Sequence, residues 1–427
     1  MVHKRLLATA IAIAIVLLAA CRGEPGPPGP VGPAGAPGPV GPPGPAGQDA
    51  TASQEFAGSE ACGNCHEAIY ETFIRSGHPH IITPIADGEP PTLPFDAESG
   101  GVPEPPEGYT WDDISYMVGG YGWKALFVDS DGYLITGDRG AATQFNFAHS
   151  FIDAPAEWVP YHPGEGALVY DCGECHSTGY RPQGHQDELE GIDGSWAAPG
   201  VQCEACHGPG SRHAADPQGV QMVVERNPQL CGNCHVRDNP DQIATAEEGS
   251  FEANRQQYSD LFNSRHFALS CITCHDPHAT TIYAEETEDT AAGQRQQCTS
   301  CHWQKTEQKN PRHASLDCVD CHMPPMAFSA QGSAEFFIGD VHSHQFAINP
   351  DPEAPQFDEE GNVMPYITLS YACKQCHNGE YGIDRDLETL AAMAQDYHTL
   401  PTPTPSPTPE ATATAEGTPA TTPTASP

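Results

Sequence analysis

The sequence predicts a mainly α-helical fold with abundant loop and little sheet, apart from one small β-hairpin near residues 120–140. Three observations lead to this class. Glycine and proline are abundant, at 42 and 43 of 427 residues. The aliphatic residues show little helical or strand periodicity. The pattern Cys-x-x-Cys-His occurs eight times. Such a chain is not expected to build its core from leucine and isoleucine.

The eight motifs indicate covalent attachment of c-type haem. Two thiols separated by two residues can reach both vinyl groups of one porphyrin, and the adjacent histidine becomes the proximal iron ligand. Zinc sites and disulfides also use paired cysteines, but neither requires a histidine after the second one. The predicted attachment cysteines are Cys62, Cys65, Cys172, Cys175, Cys203, Cys206, Cys231, Cys234, Cys271, Cys274, Cys298, Cys301, Cys318, Cys321, Cys373 and Cys376. The predicted proximal ligands are His66, His176, His207, His235, His275, His302, His322 and His377.

Eight haems in one chain predict a core made largely of porphyrin and covered by short helices and loops. This haem domain is expected over residues 56–398. Between Cys172 and Cys318 the motif starts lie 20 to 40 residues apart, which forces neighbouring porphyrins close together. A β-containing insertion is expected at residues 85–160, with hairpin strands at 124–128 and 133–136.

A second axial ligand separates an electron carrier from a catalyst, because a catalytic iron keeps one position open. Besides the proximal histidines and His3, twelve histidines remain, more than the eight that complete bis-histidine ligation requires. Most of them lie near motifs and are better placed to reach a neighbouring haem than their own. They are His78, His80, His149, His162, His185, His213, His266, His278, His313, His342, His344 and His398.

Residues 1–20 are predicted to be a secretory signal peptide. Basic residues precede an apolar run at 6–20 that is shorter than the roughly 20 residues of a membrane span. The end of this run, Leu18-Ala-Ala-Cys21, resembles a bacterial lipobox, which implies cleavage before Cys21 and lipid on its thiol. The alternative is an ordinary signal with an incidental cysteine. The chain is therefore expected outside the cytoplasm, lipid-anchored on the outer side of the cytoplasmic membrane or in the outer envelope.

Two segments of biased composition flank the haem domain. Residues 21–50 hold the anchor cysteine and nine uninterrupted Gly-x-y triplets from Gly23 to Asp49, the pattern that a collagen triple helix requires. A homotrimer and a stiff polyproline-II spacer roughly 80 Å long both fit this pattern. Residues 399–427 are rich in proline and threonine and are predicted to form a disordered tail.

The net charge excludes one class of partner. The chain has 57 acidic and 18 basic residues and a formal charge of −39, so nucleic acid is not expected to bind. Redox proteins or an extracellular electron acceptor are the expected partners. A surface adhesin using the collagen-like arm is a third hypothesis, which the haem motifs disfavour.

Residues 58–378 resemble the multihaem cytochromes c of the cytochrome c-554 type, a class related to octahaem hydroxylamine oxidoreductase and to octahaem nitrite and tetrathionate reductases. The motifs that carry the resemblance are distributed along the chain. They are Ser76-Gly-His-Pro79, Gly119-Gly-Tyr-Gly-Trp-Lys124, Cys172–Tyr180, Gly200–His213, Cys271–His278, Cys318–Pro324 and Gly339–His344.

The resemblance implies a multihaem cytochrome c fold and a set of distal iron ligands. These are His78, His162, His213, His266, His278, His313, His342 and His344, with His80, His149 and His398 as substitutes for His162. Every motif ends in histidine, which disfavours the lysine-ligated catalytic haem of some relatives. Others carry a tyrosine crosslink, and Tyr366, Tyr371 and Tyr381 flank the last motif.

Two functions remain open at this point. The first is an electron carrier with eight haems, mostly or all bis-histidine ligated, in a close-spaced redox chain. In one variant, subunits polymerise into a haem filament. The second is an oxidoreductase of a small nitrogen or sulfur compound, such as nitrite, hydroxylamine or tetrathionate, with one open haem. The sequence predicts no catalytic residue for the first function.

Overall fold

The structure is a computed structural model of residues 1–427. It describes residues 55–93, 103–149, 152, 154–236, 243–246, 249–253, 255–279, 293–305, 311–395 and 397–398. All of these lie in one compact unit, residues 54–427. The expected signal peptide, the Cys21 anchor, the collagen-like repeat and the C-terminal tail lie outside the described residues. Within them, no helix is long and apolar enough to cross a membrane.

The α-helices are short, and several coincide with haem motifs. They are α1 Ser59–Gly63, α2 Glu67–Phe73, α3 Gly173–His176, α4 Cys203–His207, α5 Ser211–Ala215, α6 Gln229–Gly232, α7 Gln257–Asn263, α8 Cys271–Cys274, α9 Cys318–His322 and α10 Leu387–Ala394. Single 3₁₀ turns and one π turn add to them at His78–His80, Trp111–Asp113, Gln186–Glu188, Cys298–Ser300, Trp303–Lys305, Pro311–His313 and Ser370–Lys374.

Three sheets account for the strands. The largest has seven, β1 Ile82–Pro84, β2 Ile114–Gly119, β3 Lys124–Asp129, β4 Tyr133–Leu134, β5 Ala142–Asn146, β6 Glu157–Pro160 and β7 Leu168–Val169. Its path runs β1-β2-β3-β4-β7, while β5 pairs with β3 and β6. The second sheet has the order β10 Ile243–Ala246, β11 Gly249–Ala253, β12 Pro325–Phe328 and β13 Val341–His342. The third pairs β8 Ser177–Thr178 with β9 Ala198–Pro199.

The large sheet forms because β2 and β3 bury both of their faces. Tyr116 and Val118 lie opposite Val128 and Leu126 on one face, within a cluster that also contains Tyr170. The alternate residues of the same strands, Met117 and Phe127 among them, fill a second cluster on the other face. Successive side chains of a strand point to opposite faces, so a nearly continuous apolar run suits a doubly covered strand.

The fold is therefore mixed, and the expectation of a mainly α chain is not confirmed. The predicted hairpin is present, with β3 and β4 joined around Asp129 and Gly132. It belongs to a sheet that extends from Ile82 to Val169 rather than standing alone. The reason is that apolar strands without a regular alternation pair with neighbours far along the chain, which local periodicity does not reveal.

Candidate haem-binding site

Each Cys-x-x-Cys-His motif forms a single helical turn. The histidine backbone N–H donates to the carbonyl of the first cysteine, at 2.9 Å in both the first motif and the last. Residues i, i+3 and i+4 of a helical turn share one face. Both thiols and the imidazole of a motif thus point to the same side, as attachment to one porphyrin requires. The five-residue spacing is a consequence of this turn.

Seven of the eight motif histidines face a second histidine ring. The ring centroids in these pairs are 5.8 to 6.4 Å apart. Two imidazoles that bind one iron through Nε2 from opposite sides have centroids about 6 Å apart, so the pairs fit a haem iron between them. The pairs are His66–His213, His235–His78, His207–His278, His275–His344, His302–His266, His322–His398 and His377–His313.

Hydrogen bonds and burial prepare these imidazoles for iron. The Nδ1 atoms of His207 and His322 lie 2.8 and 2.7 Å from the backbone carbonyls of Val223 and Phe346. A carbonyl only accepts, so the proton resides on Nδ1 and Nε2 is left for the metal. Burial, with a smaller effect of the facing His235, lowers the pKa of His78 to about 4. The imidazole is therefore neutral at pH 7, as an iron ligand must be.

One continuous cavity of about 4970 Å³ connects the motifs. Pockets for small ligands are commonly about 300–1,000 Å³, so this space is several times larger than such a site. All sixteen motif cysteines and all eight motif histidines line it, together with the seven facing histidines. The donor set, the neutral imidazoles and the cavity all fit c-type haem.

Contacts between thiols of different motifs show which attachment sites are neighbours. Motifs are numbered here in chain order. The four contacting thiol pairs join motif 1 to 3, motif 2 to 4, motif 4 to 5 and motif 6 to 7. They are Cys62–Cys203, Cys175–Cys234, Cys231–Cys271 and Cys298–Cys318. Cys206 lies near Cys231, Cys274 near Cys301, and Cys321 near Cys373, which connects the remaining neighbours. The order is 1-3-4-5-6-7-8, with motif 2 branching from motif 4.

Motif 2 differs from the others. Every histidine except His3 lies in the described part of the chain, and none of those described faces the ring of His176. The ring beside it is that of Tyr170, whose hydroxyl lies 3.2 Å from His176 Nδ1. Burial, and to a lesser extent the positive charge of Arg255, lowers the pKa of His176 to about 4. A group bound through His176 therefore has no imidazole on its other side.

Two of the expected distal histidines lie elsewhere. His162 is half exposed, and its Nδ1 lies 3.0 Å from Glu165 Oε1. The ring of His342 contacts the Met323 carbonyl through Nδ1 and does not face a motif histidine. His398, expected only as a substitute, faces His322 instead.

The other substitutes and the candidate crosslinking tyrosines lie apart from motif 2. His80 Nε2 bonds to the Ile74 carbonyl at 2.6 Å, and His149 lies near Asp340 and His342. Tyr371 packs against Phe337 and Phe357. Tyr381 lies against Phe336, and the Tyr366 backbone N–H bonds to the Met364 carbonyl.

Sequence reasoning did not single out Tyr170, which stands two residues before Cys172. A tyrosine two residues before a haem motif does not by itself predict a contact with that motif. Its role depends on the parallel bridge to Ile192, which turns the chain so that the tyrosine ring lies against the motif that follows it.

Comparisons with known proteins agree with this geometry. Residues 162–208 match the family described as cytochrome c554 and c-prime. The chain is 24% identical over 307 residues to the dissimilatory sulfite reductase MccA of Wolinella succinogenes. That match covers 53% of this chain but only 42% of the relative, less than half of its length.

One solved structure shows a similar fold. The octahaem sulfite reductase MccA of Wolinella succinogenes, form II, superposes with a TM-score of 0.50 at 19% identity, covering 79% of this chain and 69% of the other. The outer cell wall cytochrome OcwA gives a TM-score of 0.49 at 18% identity, covering 79% and 86%. Together with the eight motifs and their facing histidines, the family match and the sulfite reductase identify this chain as a multihaem cytochrome c of the cytochrome c-554 type.

Proposed function

We propose that this chain is an electron-transfer protein that binds c-type haem at all eight motifs, seven of them with two histidine ligands. The observation that carries the proposal is the set of seven facing histidine pairs. Haem supplies reversible one-electron iron chemistry when it is bound. The chain contributes thioether attachment and axial imidazoles, and it sets the neighbour order of the sites. Bis-histidine ligation stabilises oxidised iron relative to His/Met ligation, so these seven sites suit low-potential electron transfer.

Several facing histidines lie on the same short stretch of chain as a motif that attaches a different haem. His213 follows motif 3 and faces the histidine of motif 1, while His78 follows motif 1 and faces that of motif 4. Each such ligand ties two haems to one short peptide. This limits relative movement of the haems and keeps electron-transfer distances constant.

A second function is favoured by motif 2, where His176 faces no imidazole. A coordination position left open there could bind a small molecule, and the matched relative is named a sulfite reductase. Arg255, which lines the cavity and lies near His176, is a positive charge in a strongly acidic chain. In this function motif 4, the neighbour of motif 2, would hold the haem through which electrons reach motif 2, and the substrate would be a small sulfur or nitrogen compound.

Haem quantification and EPR of the oxidised protein test both functions. We expect eight haems per chain, seven low-spin and one high-spin. Fewer than eight haems, or several high-spin signals, would contradict the electron-transfer arrangement. Eight low-spin haems would leave that arrangement intact and remove the open site. If the high-spin signal is present, turnover of sulfite, nitrite, hydroxylamine and tetrathionate by the reduced protein then decides the second function.

The proposal includes export and lipid anchoring through Cys21. The anchored chain would pass electrons between redox proteins and an acceptor outside the cytoplasm. The measurement is cell fractionation of the full chain and a Cys21→Ser variant, which we expect to move from the membrane to the soluble exported fraction. Removing residues 23–49 separates the two hypotheses for the repeat, because loss of a trimer lowers the solution mass threefold and loss of a spacer does not.

A further inference from the structure

Tyr170 and His176 form a contact that sets motif 2 apart on its proximal side. The tyrosine hydroxyl lies 3.2 Å from His176 Nδ1, and the two ring centroids are 6.4 Å apart. Tyr170 is completely buried, and His176 is 8% exposed. Water therefore does not compete for this hydrogen bond, which makes it a fixed feature of the site.

The fold holds Tyr170 rigidly. Its backbone N–H donates to Gly191 at 2.8 Å, and its carbonyl accepts from Asp193 at 3.0 Å. The ring packs edge-on against Trp196, with centroids 6.3 Å apart. Because the backbone is fixed on both sides and the ring is enclosed, the hydroxyl cannot turn away from the imidazole without disturbing the core.

The other proximal histidines with a resolved Nδ1 hydrogen bond use a different kind of partner. His207, His322 and His377 all lie beside backbone carbonyl oxygens. An amide carbonyl is a stronger acceptor than a phenol oxygen, so it draws the Nδ1 proton further and makes the imidazole a stronger donor to iron. Stronger donation stabilises oxidised iron. A phenol partner leaves His176 the weaker donor.

We infer that Tyr170 is a positioning residue for the iron at motif 2. Its hydroxyl accepts a hydrogen bond from His176 Nδ1, which fixes the imidazole orientation and sets a haem potential above that expected with a carbonyl partner but below that expected with no acceptor. This inference rests on the proposed function, because it requires haem with an open position at motif 2. A higher potential at this site draws electrons from the bis-histidine haems toward the place where a substrate would bind.

The test is Tyr170→Phe in the full haem-loaded protein, compared with the wild type. The variant removes only the acceptor, so we expect the Fe(II)–His stretching frequency of the high-spin haem to fall and its midpoint potential to rise. The seven low-spin haems should keep their potentials. Tyr116→Phe is the matched control, because Tyr116 belongs to the same apolar cluster as Tyr170 but its hydroxyl donates to Asp187 instead of contacting a motif histidine. Tyr170→Met, which also lacks the hydroxyl but adapts to the cavity, serves if the Phe variant folds poorly.

The outcomes separate the two claims. A wild-type protein without a high-spin haem overturns both the open site and this inference. A wild-type high-spin haem whose stretching frequency and potential are unchanged in Tyr170→Phe overturns the role of Tyr170 and leaves the open site standing. Equal shifts in Tyr116→Phe would show that core packing, rather than the hydrogen bond, causes the effect, and would also overturn it.

Discussion

At the residue scale, Glu204 inside motif 3 has a structural role that its neighbours lack. Its buried carboxylate accepts backbone N–H bonds from Ala57, Gly58 and Gly210 at 2.6 to 2.8 Å. The side chain thus fastens the start of the haem domain to motif 3. Hydrogen bonds to a charged group contribute about 1.5–3 kcal/mol each, so we expect Glu204→Gln to lower the free energy of unfolding by roughly 2 kcal/mol or more. Urea unfolding measures this. Glu174→Gln, at an exposed position of motif 2, should change it little.

His398 gives a second prediction at this scale. It faces His322 at 6.1 Å although it lies 76 residues along the chain from that histidine. We expect His398→Ala to convert one low-spin haem into a high-spin haem, because the iron at motif 7 loses its second imidazole. EPR counts the signals. His185→Ala is the control, since His185 bonds to the Ile192 carbonyl and does not line the cavity. No change in the His398 variant would mean that another residue binds this iron.

The histidines also show which parts of the site can be predicted from the sequence. The motifs are readable because their chemistry is confined to one helical turn. The expected facing residues His78, His213 and His278 do lie opposite motif histidines, and each stands close to a motif in the chain. Sequence position alone does not show that His398, rather than His342, faces a motif histidine. Their separation from any partner is long, and only the path of the intervening chain decides which ring reaches the cavity.

At the element scale, the turn between β2 and β3 depends on glycine. Gly119 has a φ of +80°, and a Cβ there would lie 2.4 Å from the Lys124 carbonyl oxygen. The backbone on both sides is fixed by the strand register, so the clash cannot relax easily. We expect Gly119→Ala to destabilise the protein by roughly 2–4 kcal/mol. Gly140→Ala separates the causes, because Gly140 has φ +95° with no atom near its Cβ position and should cost only about 1 kcal/mol. Equal losses of thermal stability would contradict the steric account.

Strand β11 provides a pH-dependent prediction. Glu252 is fully buried, and neither of its carboxylate oxygens has a hydrogen bond. Burial, reinforced by nearby Asp260, raises the pKa of Glu252 well above its usual range. The folded state then keeps a proton that the unfolded chain releases above about pH 4.3, so the free energy of unfolding falls as pH rises beyond that value.

Glu252→Gln replaces the titrating carboxyl with a neutral amide, so the free energy of unfolding should fall less steeply as pH rises. We expect the variant to gain stability relative to the wild type as pH rises from about 4 to about 8, measured by urea unfolding. Glu360→Gln, at an exposed position, should leave the pH profile unchanged. A constant stability difference across this range would show that the Glu252 carboxyl has the same pKa in both states.

At the scale of the whole molecule, the buried apolar side chains form three clusters, and the smallest, around Met326 and Ile367, lies beside the last motif. Two clusters cover the faces of the seven-stranded sheet and include Val128, Phe127 and Tyr170. The motif region, residues 203–322, instead lines the large cavity, and its α-helices are 4 to 7 residues long. Isolated helices shorter than about 12–15 residues are marginal in water. A haem core was predicted from the sequence for this region. The size of the sheet was not predicted, because only a small hairpin was expected, whereas the sheet has seven strands and its own apolar core.

This division predicts how the chain behaves without haem. A chain made in the cytoplasm, where no haem is attached, should retain the sheet but lose the motif region, because the cavity has no apolar contents to bury. Limited proteolysis should then leave a protected fragment containing residues 114–146 and cleave rapidly between residues 203 and 322. The haem-loaded chain under the same protease is the control and should resist cleavage throughout both ranges. Uniform protection of the haem-free chain, with one cooperative unfolding transition, would mean that the motif region has a core independent of haem.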